Sequence, residues 1–153
     1  MSDAPIQAPS ANAMRAWLRF LRLHQRISRL AARMMRDKGL SVPQFDVLST
    51  LSEREGATQQ EIAERLYVTK GNISGLIDRM AESGLVERRA LPQDRRSHAL
   101  YLTQAGRDAL ARGDALQRDM VARTLGQLPD AEIGALYDSL GRWRNKVRDL
   151  PKD

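Results

Sequence analysis

The segment "VTKGNISGLIDRM", residues 68–80, joins an apolar helical face to a small polar tip. Its apolar residues recur at spacings of three and four, which predicts a helix with one face in a core. These residues are Ile73, Leu76, Ile77 and Met80. The start of the helix is short and polar, with Thr69 as its cap and then Lys70, Gly71, Asn72 and Ser74. A helix that only packs has no need of such a tip.

A second helix is predicted immediately before this one. "TQQE", residues 58–61, has the Thr-x-x-Glu pattern of a capping box. Ile62, Ala63 and Leu66 then provide an apolar face, and "YVT", residues 67–69, is short enough for a tight turn. Two helices joined in this way are typical of a helix-turn-helix, whose second helix places its N-terminal residues in the major groove of DNA.

The side chains of the tip suit that role. Asn72 can pair with adenine through two hydrogen bonds, Lys70 can donate to guanine or phosphate, and Ser74 can meet either. Gly71 allows the two backbones to approach closely. The alternative is that Thr69 only caps the helix and that Asn72 and Ser74 form a solvated face.

A β-hairpin is predicted after the second helix, which ends at Gly84. The strand-like runs "LVERRA" and "SHALYL", residues 85–90 and 97–102, flank the turn-forming residues Pro92, Gln93 and Asp94. A hairpin in this position is a wing. Its predicted tip carries Arg95 and Arg96, and arginine suits a narrow minor groove.

The two arginines of the wing can also be explained without DNA. We expect Arg96 to enter the groove and Arg95 to contact phosphate, but an ion pair with Asp94 at the surface is the alternative for either of them.

Longer helices are predicted on both sides of this region. Residues 14–36 carry one apolar stripe and end at Gly39, and "SVPQ", residues 41–44, opens a further helix. Thr103 caps a helix over residues 104–126, and the last helix has apolar residues at spacings of 3, 4, 3, 4 and 3. The stripe of the first helix consists of Phe20, Leu23, Ile27, Leu30 and Met34.

The predicted fold is therefore mainly α with a small β-hairpin wing. We expect a disordered tail over residues 1–11, a helical dimerisation lobe from 12–40 and 104–150, and a winged helix-turn-helix between them over 41–103. The apolar surfaces of the terminal helices exceed what so small a lobe needs, which favours a homodimer. The alternative is that these helices pack within one subunit.

Composition narrows the functional class. The 153 residues include no cysteine, which excludes disulfides, thiol redox sensing and thiolate metal sites. No apolar run approaches the length of a membrane span, and the N-terminus lacks the pattern of a signal peptide, so we expect a cytoplasmic protein. A formal charge of +6 and a pI near 10.3 favour an anionic partner.

The excess charge lies on the first helix. Seven arginines repeat there at spacings of 4, 3, 4, 3, 4 and 3, from Arg15 to Arg36. They can form a solvated face whose stems cover apolar surface and which acids of the partner subunit neutralise, an anionic ligand site, or the polar side of a membrane-surface helix. For the ligand site we expect Trp17, Arg19, His24 and Arg26 to contact a carboxylated aromatic molecule or a CoA thioester.

At this point the sequence resembles the MarR family of bacterial winged helix-turn-helix transcriptional regulators. The resemblance rests on "TQQEIAERLYVTKGNISGLIDRMAESGLVERR", residues 58–89, and "DRRSHALYLTQAGR", residues 94–107. It implies a homodimer on a pseudo-palindromic duplex operator, often released by a small anionic aromatic ligand. The cysteines of the family's peroxide-sensing branch are absent. The predicted DNA contacts are Thr58, Thr69, Lys70, Gly71, Asn72, Ser74, Arg79, Arg88, Arg95 and Arg96.

The expected function is that of a dimeric, sequence-specific DNA-binding regulator, most simply a repressor released by a small anionic aromatic acid or acyl-CoA-like ligand. The alternative is a basic nucleoid-associated protein that binds DNA without reading it. The sequence contains no catalytic constellation, and we expect no enzyme activity, no cofactor and no metal site. His24 and His98 are too few for a zinc-sensing site.

Overall fold

The computed structural model describes residues 8–91 and 94–150, with the side chains of Lys70, Leu91 and residues 94–97 left aside. It is mainly helical with one two-stranded antiparallel hairpin, which confirms the predicted fold class. The elements are α1 (Ala11–Arg36), α2 (Val42–Glu53), α3 (Gln59–Leu66), α4 (Lys70–Glu82), β1 (Val86–Leu91), β2 (Asp94–Leu102), α5 (Gln104–Arg123) and α6 (Asp130–Arg148). The chain forms two compact units, which divide after Leu110.

Local capping patterns place the starts of the central helices as predicted. The Ser41 hydroxyl accepts from the backbone N–H of Gln44, whose side chain accepts from the backbone N–H of Ser41. Thr58 and Glu61 form the same reciprocal pair at α3. Each pair satisfies backbone donors that a helix start otherwise leaves free.

The first helix begins earlier than predicted. Its start is at Ala11 and not at residue 14, because the Ser10 hydroxyl accepts from the backbone N–H of Ala13 at 3.1 Å. The expected disordered tail lies outside the described residues as far as residue 7. The end of α1 is as expected, since Gly39 adopts the left-handed conformation (φ 71°) that stops a helix.

The buried hydrophobic core of the described chain lies between Met35 and Ala109. The predicted apolar faces of α3 and α4 contribute to it, together with side chains of α2 and the base of the hairpin. The fully buried larger side chains are Val47, Leu48, Leu51, Ile62, Ile73, Ile77, Met80 and Leu100. The winged lobe therefore has a core of its own.

The hairpin is longer than predicted. Val86 pairs with Leu102 at its base, and the pairing continues to Leu91 and Asp94, with a register shift after Ala90. The second strand thus begins three residues before the predicted start, because pairing satisfies backbone groups that a loop would leave to water. Pro92 and Gln93, the predicted turn residues, lie outside the described residues.

The hairpin is anchored to the segment before α3. Leu100 donates its N–H to the carbonyl of Ala57 and accepts from the N–H of Gly56, and Thr58 bridges Ala99. The wing base and the start of α3 are therefore held together by backbone hydrogen bonds.

Helix α5 ends three residues before its predicted end at 126. Thr124 leaves the helical conformation, and Leu125–Gln127 forms a single 3-10 turn. Leu128 is extended (ψ 153°), as the residue before a proline must be, and α6 then starts at Asp130. No helix within residues 8–91 and 94–150 is long and apolar enough to cross a membrane.

Candidate nucleic-acid interface

Helix α4 divides cleanly into a buried face and an exposed tip. Ile73, Ile77 and Met80 are at most 1% exposed, whereas Gly71 and Asn72 are exposed at the start of the same helix. The Thr69 hydroxyl caps the helix by accepting from the backbone N–H of Asn72. The core therefore orients α4, and its first turn is left free to bind.

The other polar side chains of α4 differ in their exposure. Ser74 is half-buried, and the side chain of Lys70 lies outside the described part of the chain. Arg79 is exposed on the following turn, and the structure assigns it no ion pair within the described residues.

Gly71 is not required by the packing of the protein itself. A Cβ atom built at this position meets nothing within 4 Å. Glycine in a helix costs about 0.5–1 kcal/mol relative to alanine, so the free protein would be more stable with a side chain here. The space in front of Gly71 is therefore available to a partner that approaches the backbone.

Tyr67, which sequence analysis treated only as part of a tight turn, is an exposed ring beside this tip. It is 96% exposed and is the only described non-glycine residue with a positive φ, at 54°. Its backbone N–H closes the end of α3 by donating to the carbonyls of Ala63 and Glu64. A glycine would take this conformation with less strain, and the ring gains nothing from burial. The signal in sequence was a tyrosine where a helix end favours glycine.

Two predicted contacts already have partners in the protein. Arg88 on β1 forms an ion pair with Asp78 on α4. Thr58 is half-buried, and its hydroxyl donates to Glu61 at 3.0 Å. Arg88 thus links the wing to α4, and Thr58 fixes the start of α3.

Several acidic side chains of this lobe are engaged by neighbours. Hydrogen bonds from the backbone and hydroxyl of Thr58 lower the pKa of the Glu61 carboxyl, and Arg54 at 2.9 Å lowers it further. Glu64 accepts from the amide of Gln60 at 3.0 Å. A shallow depression of about 630 Å³ lies between α3, α4 and the hairpin. It is lined by the carboxylates of Glu61, Glu64 and Asp78, beside Arg88 and His98.

The wing presents a further arginine that sequence analysis did not select. The Arg89 guanidinium lies 4.1 Å from the ring centroid of Tyr101 and also pairs with Glu87. The backbones of Arg95 and Arg96 belong to β2, but their side chains lie outside the described residues. Their predicted contacts with a groove and a phosphate remain predictions.

The predicted ligand contacts on α1 do not all face the same site. Arg19 and Arg26 line a shallow groove of about 440 Å³ together with Arg15, Leu18, Arg22 and Leu23. Trp17 and His24 do not line it. Five residues separate Arg19 from His24, about 140° around a helix, and the His24 ring is stacked on Phe20 with 6.0 Å between centroids.

Comparison with known proteins identifies the family. The family model described as MarR family matches residues 40–98. An uncharacterized HTH-type transcriptional regulator of Bacillus anthracis is 32% identical over 142 residues, which cover 90% of this chain and 93% of that protein. The chain belongs to the MarR family. The match spans only 63% of the length of related regulators from Bacillus cereus and Bacillus thuringiensis.

Solved structures agree with the MarR fold. The transcriptional repressor CouR, bound to a 23-mer DNA duplex, superimposes with a TM-score of 0.78 and 28% identity over 91% of this chain and 99% of that one. The regulator PcaV from Streptomyces coelicolor, in complex with its natural ligand, gives 0.74 and 25% over 92% and 99%. This MarR-family chain is therefore a winged helix-turn-helix regulator.

Proposed function

We propose that this MarR-family protein is a homodimeric, cytoplasmic transcriptional repressor that reads a pseudo-palindromic operator with α4. The observation that carries the proposal is the exposed, Thr69-capped start of α4 opposite a fully buried face. In a helix-turn-helix that end of the second helix enters the major groove. The likeness to CouR, which was solved with a DNA duplex, supports the same assignment.

The proposed contacts have different roles. Lys70, Asn72 and Ser74 meet base edges or phosphates, and Gly71 lets the backbone approach. At the helix starts capped by Thr69 and Thr58, the first-turn backbone N–H groups that the caps leave unbonded face phosphate. Arg79, together with Arg88 held by Asp78, contacts the backbone, and Arg95 and Arg96 act from the wing. The ring of Tyr67 adds an exposed contact beside the tip.

Dimer formation accounts for the apolar surfaces of the terminal helices. Leu23, Ile27 and Leu30 on α1 are 42–54% exposed, and Leu136 and Leu140 on α6 are 41% and 42% exposed. Rows of half-exposed leucine and isoleucine of this length are typical of surfaces that pair. Sedimentation of the protein with Ile27→Ser and Leu140→Ser should show a shift from dimer to monomer.

The repressor is proposed to be released by a small anionic effector, an aromatic acid or an acyl-CoA-like thioester. The groove on α1 supports this because it combines leucine side chains with guanidinium groups. Arg19 and Arg26 are the residues proposed to contact the effector, whereas Trp17 and His24 lie on other faces of α1. If the effector still releases DNA after Arg19→Gln and Arg26→Gln together, the groove is not its site.

The decisive experiment is a selection of binding sites from a random duplex library. A two-fold symmetric site with half-sites about one helical turn apart is expected. Asn72→Ala should then lose about 1–3 kcal/mol of discrimination at one base pair of each half-site. Glu82→Ala, exposed at the other end of the same helix, is the matched control and should keep it. No enriched sequence would favour the nucleoid-associated alternative instead.

A further inference from the structure

The first helix carries the entire net positive charge of the protein. Ala11–Arg36 contains seven arginines and no lysine, aspartate or glutamate. Because the whole chain has a formal charge of +6, the remainder carries −1. This remainder, which includes α4 and the wing, therefore has no net positive charge that would attract an anionic partner.

These arginines form one continuous array, which we call the arginine stripe. Their alternating spacing of four and three keeps them on one side of α1, over a length of about 32 Å at 1.5 Å per residue. All seven are exposed. The stripe consists of Arg15, Arg19, Arg22, Arg26, Arg29, Arg33 and Arg36.

The stripe forms no ion pair in the described part of the chain. Within residues 8–91 and 94–150, none of its members forms an ion pair, whereas Arg54, Arg65 and Arg88 all pair with nearby acids. Like charges at these spacings each cost a few tenths of a kcal/mol. An array that weakens its own helix and lacks an internal partner is suited to an external polyanion.

We propose that the arginine stripe is a second DNA-contact surface, which binds the phosphates of duplex DNA without reading sequence. The planar guanidinium matches a phosphate through two parallel hydrogen bonds, and every member of the stripe is arginine. A small effector would occupy two or three of the seven residues, but a duplex presents a row of phosphates over the full length. A lipid surface would need the apolar stripe of α1, which the proposed dimer covers.

The stripe therefore supplies affinity, and α4 supplies specificity. The stripe also extends beyond the effector groove, because it continues past Arg26 for three further arginines. Those three residues, Arg29, Arg33 and Arg36, allow the surface to be tested without touching the groove.

The test compares two triple variants with equal loss of charge. In the first, Arg29, Arg33 and Arg36 are each replaced by Gln; in the control, Arg112, Arg118 and Arg144, also exposed, are replaced in the same way. Dissociation constants for a random-sequence duplex are measured across a salt series. Each phosphate contact contributes about 0.9 to the slope of log K against log salt, so the stripe variant should lose up to about 2.7 and the control much less.

Three results would overturn the proposal. The first is an equal change of slope in both triples. The second is an unchanged DNA slope in the stripe variant, combined with a loss of its binding to phosphatidylglycerol vesicles, which would assign the stripe to membranes. The third is complete loss of random-duplex binding in the double variant Gly71→Asp/Asn72→Ala, which we call the head-disabled protein because the tip of α4 can no longer contact DNA. This protein should still bind through the stripe.

The same measurements keep this proposal distinct from the proposed function. The ratio of operator to random-duplex affinity should stay unchanged in the stripe triple and collapse in the head-disabled protein. Circular dichroism checks that α1 remains helical. If the triple does not fold, the single change Arg29→Gln should still lower the slope by about 0.9, and no change would count against the stripe.

Discussion

Helices α4 and α1 are both amphipathic, but only α4 buries its apolar face in the chain. Ile77 on α4 is fully buried, whereas Ile27 on α1 is 42% exposed. Their polar sides differ as well, since α4 begins with Lys70 followed by small side chains, and α1 carries only arginine as charge. The difference teaches that the fold of one chain fixes the orientation of α4, whereas it leaves most of the apolar face and all the arginines of α1 exposed.

The largest expected effect separates the two apolar faces. Ile77→Ala should lower the free energy of unfolding by about 2–5 kcal/mol, because it leaves a cavity in the core. Ile27→Ala should weaken the proposed dimer and leave the monomer almost unchanged. Thermal unfolding over a range of protein concentrations distinguishes them, since the Ile27 effect should vanish where the wild type is monomeric. If both substitutions lower the free energy of unfolding of the monomer equally, the apolar face of α1 is buried within one chain, as that of α4 is.

A pair of glycines sharpens the same distinction. A Cβ at Gly106 would lie 2.0 Å from the carbonyl oxygen of Leu85, so Gly106→Ala should destabilise the winged lobe by about 1–3 kcal/mol or more through overpacking. Gly71→Ala should instead stabilise it by about 0.5–1 kcal/mol and weaken operator binding. Denaturant titration and operator affinity together check this, and unaltered affinity in Gly71→Ala would remove Gly71 from the contact set.

Tyr67 provides a test of smaller size. Tyr67→Gly relieves the left-handed backbone and should raise the free energy of unfolding by up to about 1 kcal/mol, because the ring is almost fully exposed. Operator affinity should fall if the ring contacts DNA. Tyr67→Ala is the control, because it loses the ring but keeps the strained backbone, and it therefore separates loss of the ring from relief of strain.

The smallest effects concern pH and involve Asp46 and Glu61 of the winged lobe, whereas α1 contains no acid. Burial raises the pKa of Asp46 above 3.8, so its ionised form destabilises the fold at neutral pH, and this cost disappears as pH falls through the raised pKa. Asp46→Asn should therefore stabilise the protein at pH 7 and have no such effect in strong acid.

Glu61 should behave in the opposite way. Its pKa is lowered from 4.5 by hydrogen bonds from Thr58, so its contribution is present above that value and is lost as pH falls through the lowered pKa. Glu61→Gln should flatten the acid side of the stability profile, by a small amount because the side chain is 39% exposed. A profile unchanged by both substitutions would contradict these assignments.

Local patterns were sufficient to predict most of the winged lobe. The capping residues Ser41, Thr58 and Thr69 and the inward face of α4 follow from interactions between residues three or four apart. The boundaries were predicted less well, because Ser10 as a cap, the early end of α5 and the early start of β2 depend on competing local choices of similar energy.

The sequence by itself determined the order of the helices, the polar tip of α4 and the arginine stripe, because each is a repeat along one segment of chain. Only the tertiary structure decided that Arg88 is held by Asp78 and that Arg89 lies on Tyr101. These outcomes join or separate side chains according to how elements pack and rotate. Packing depends on contacts between distant residues, which spacing along the chain does not encode.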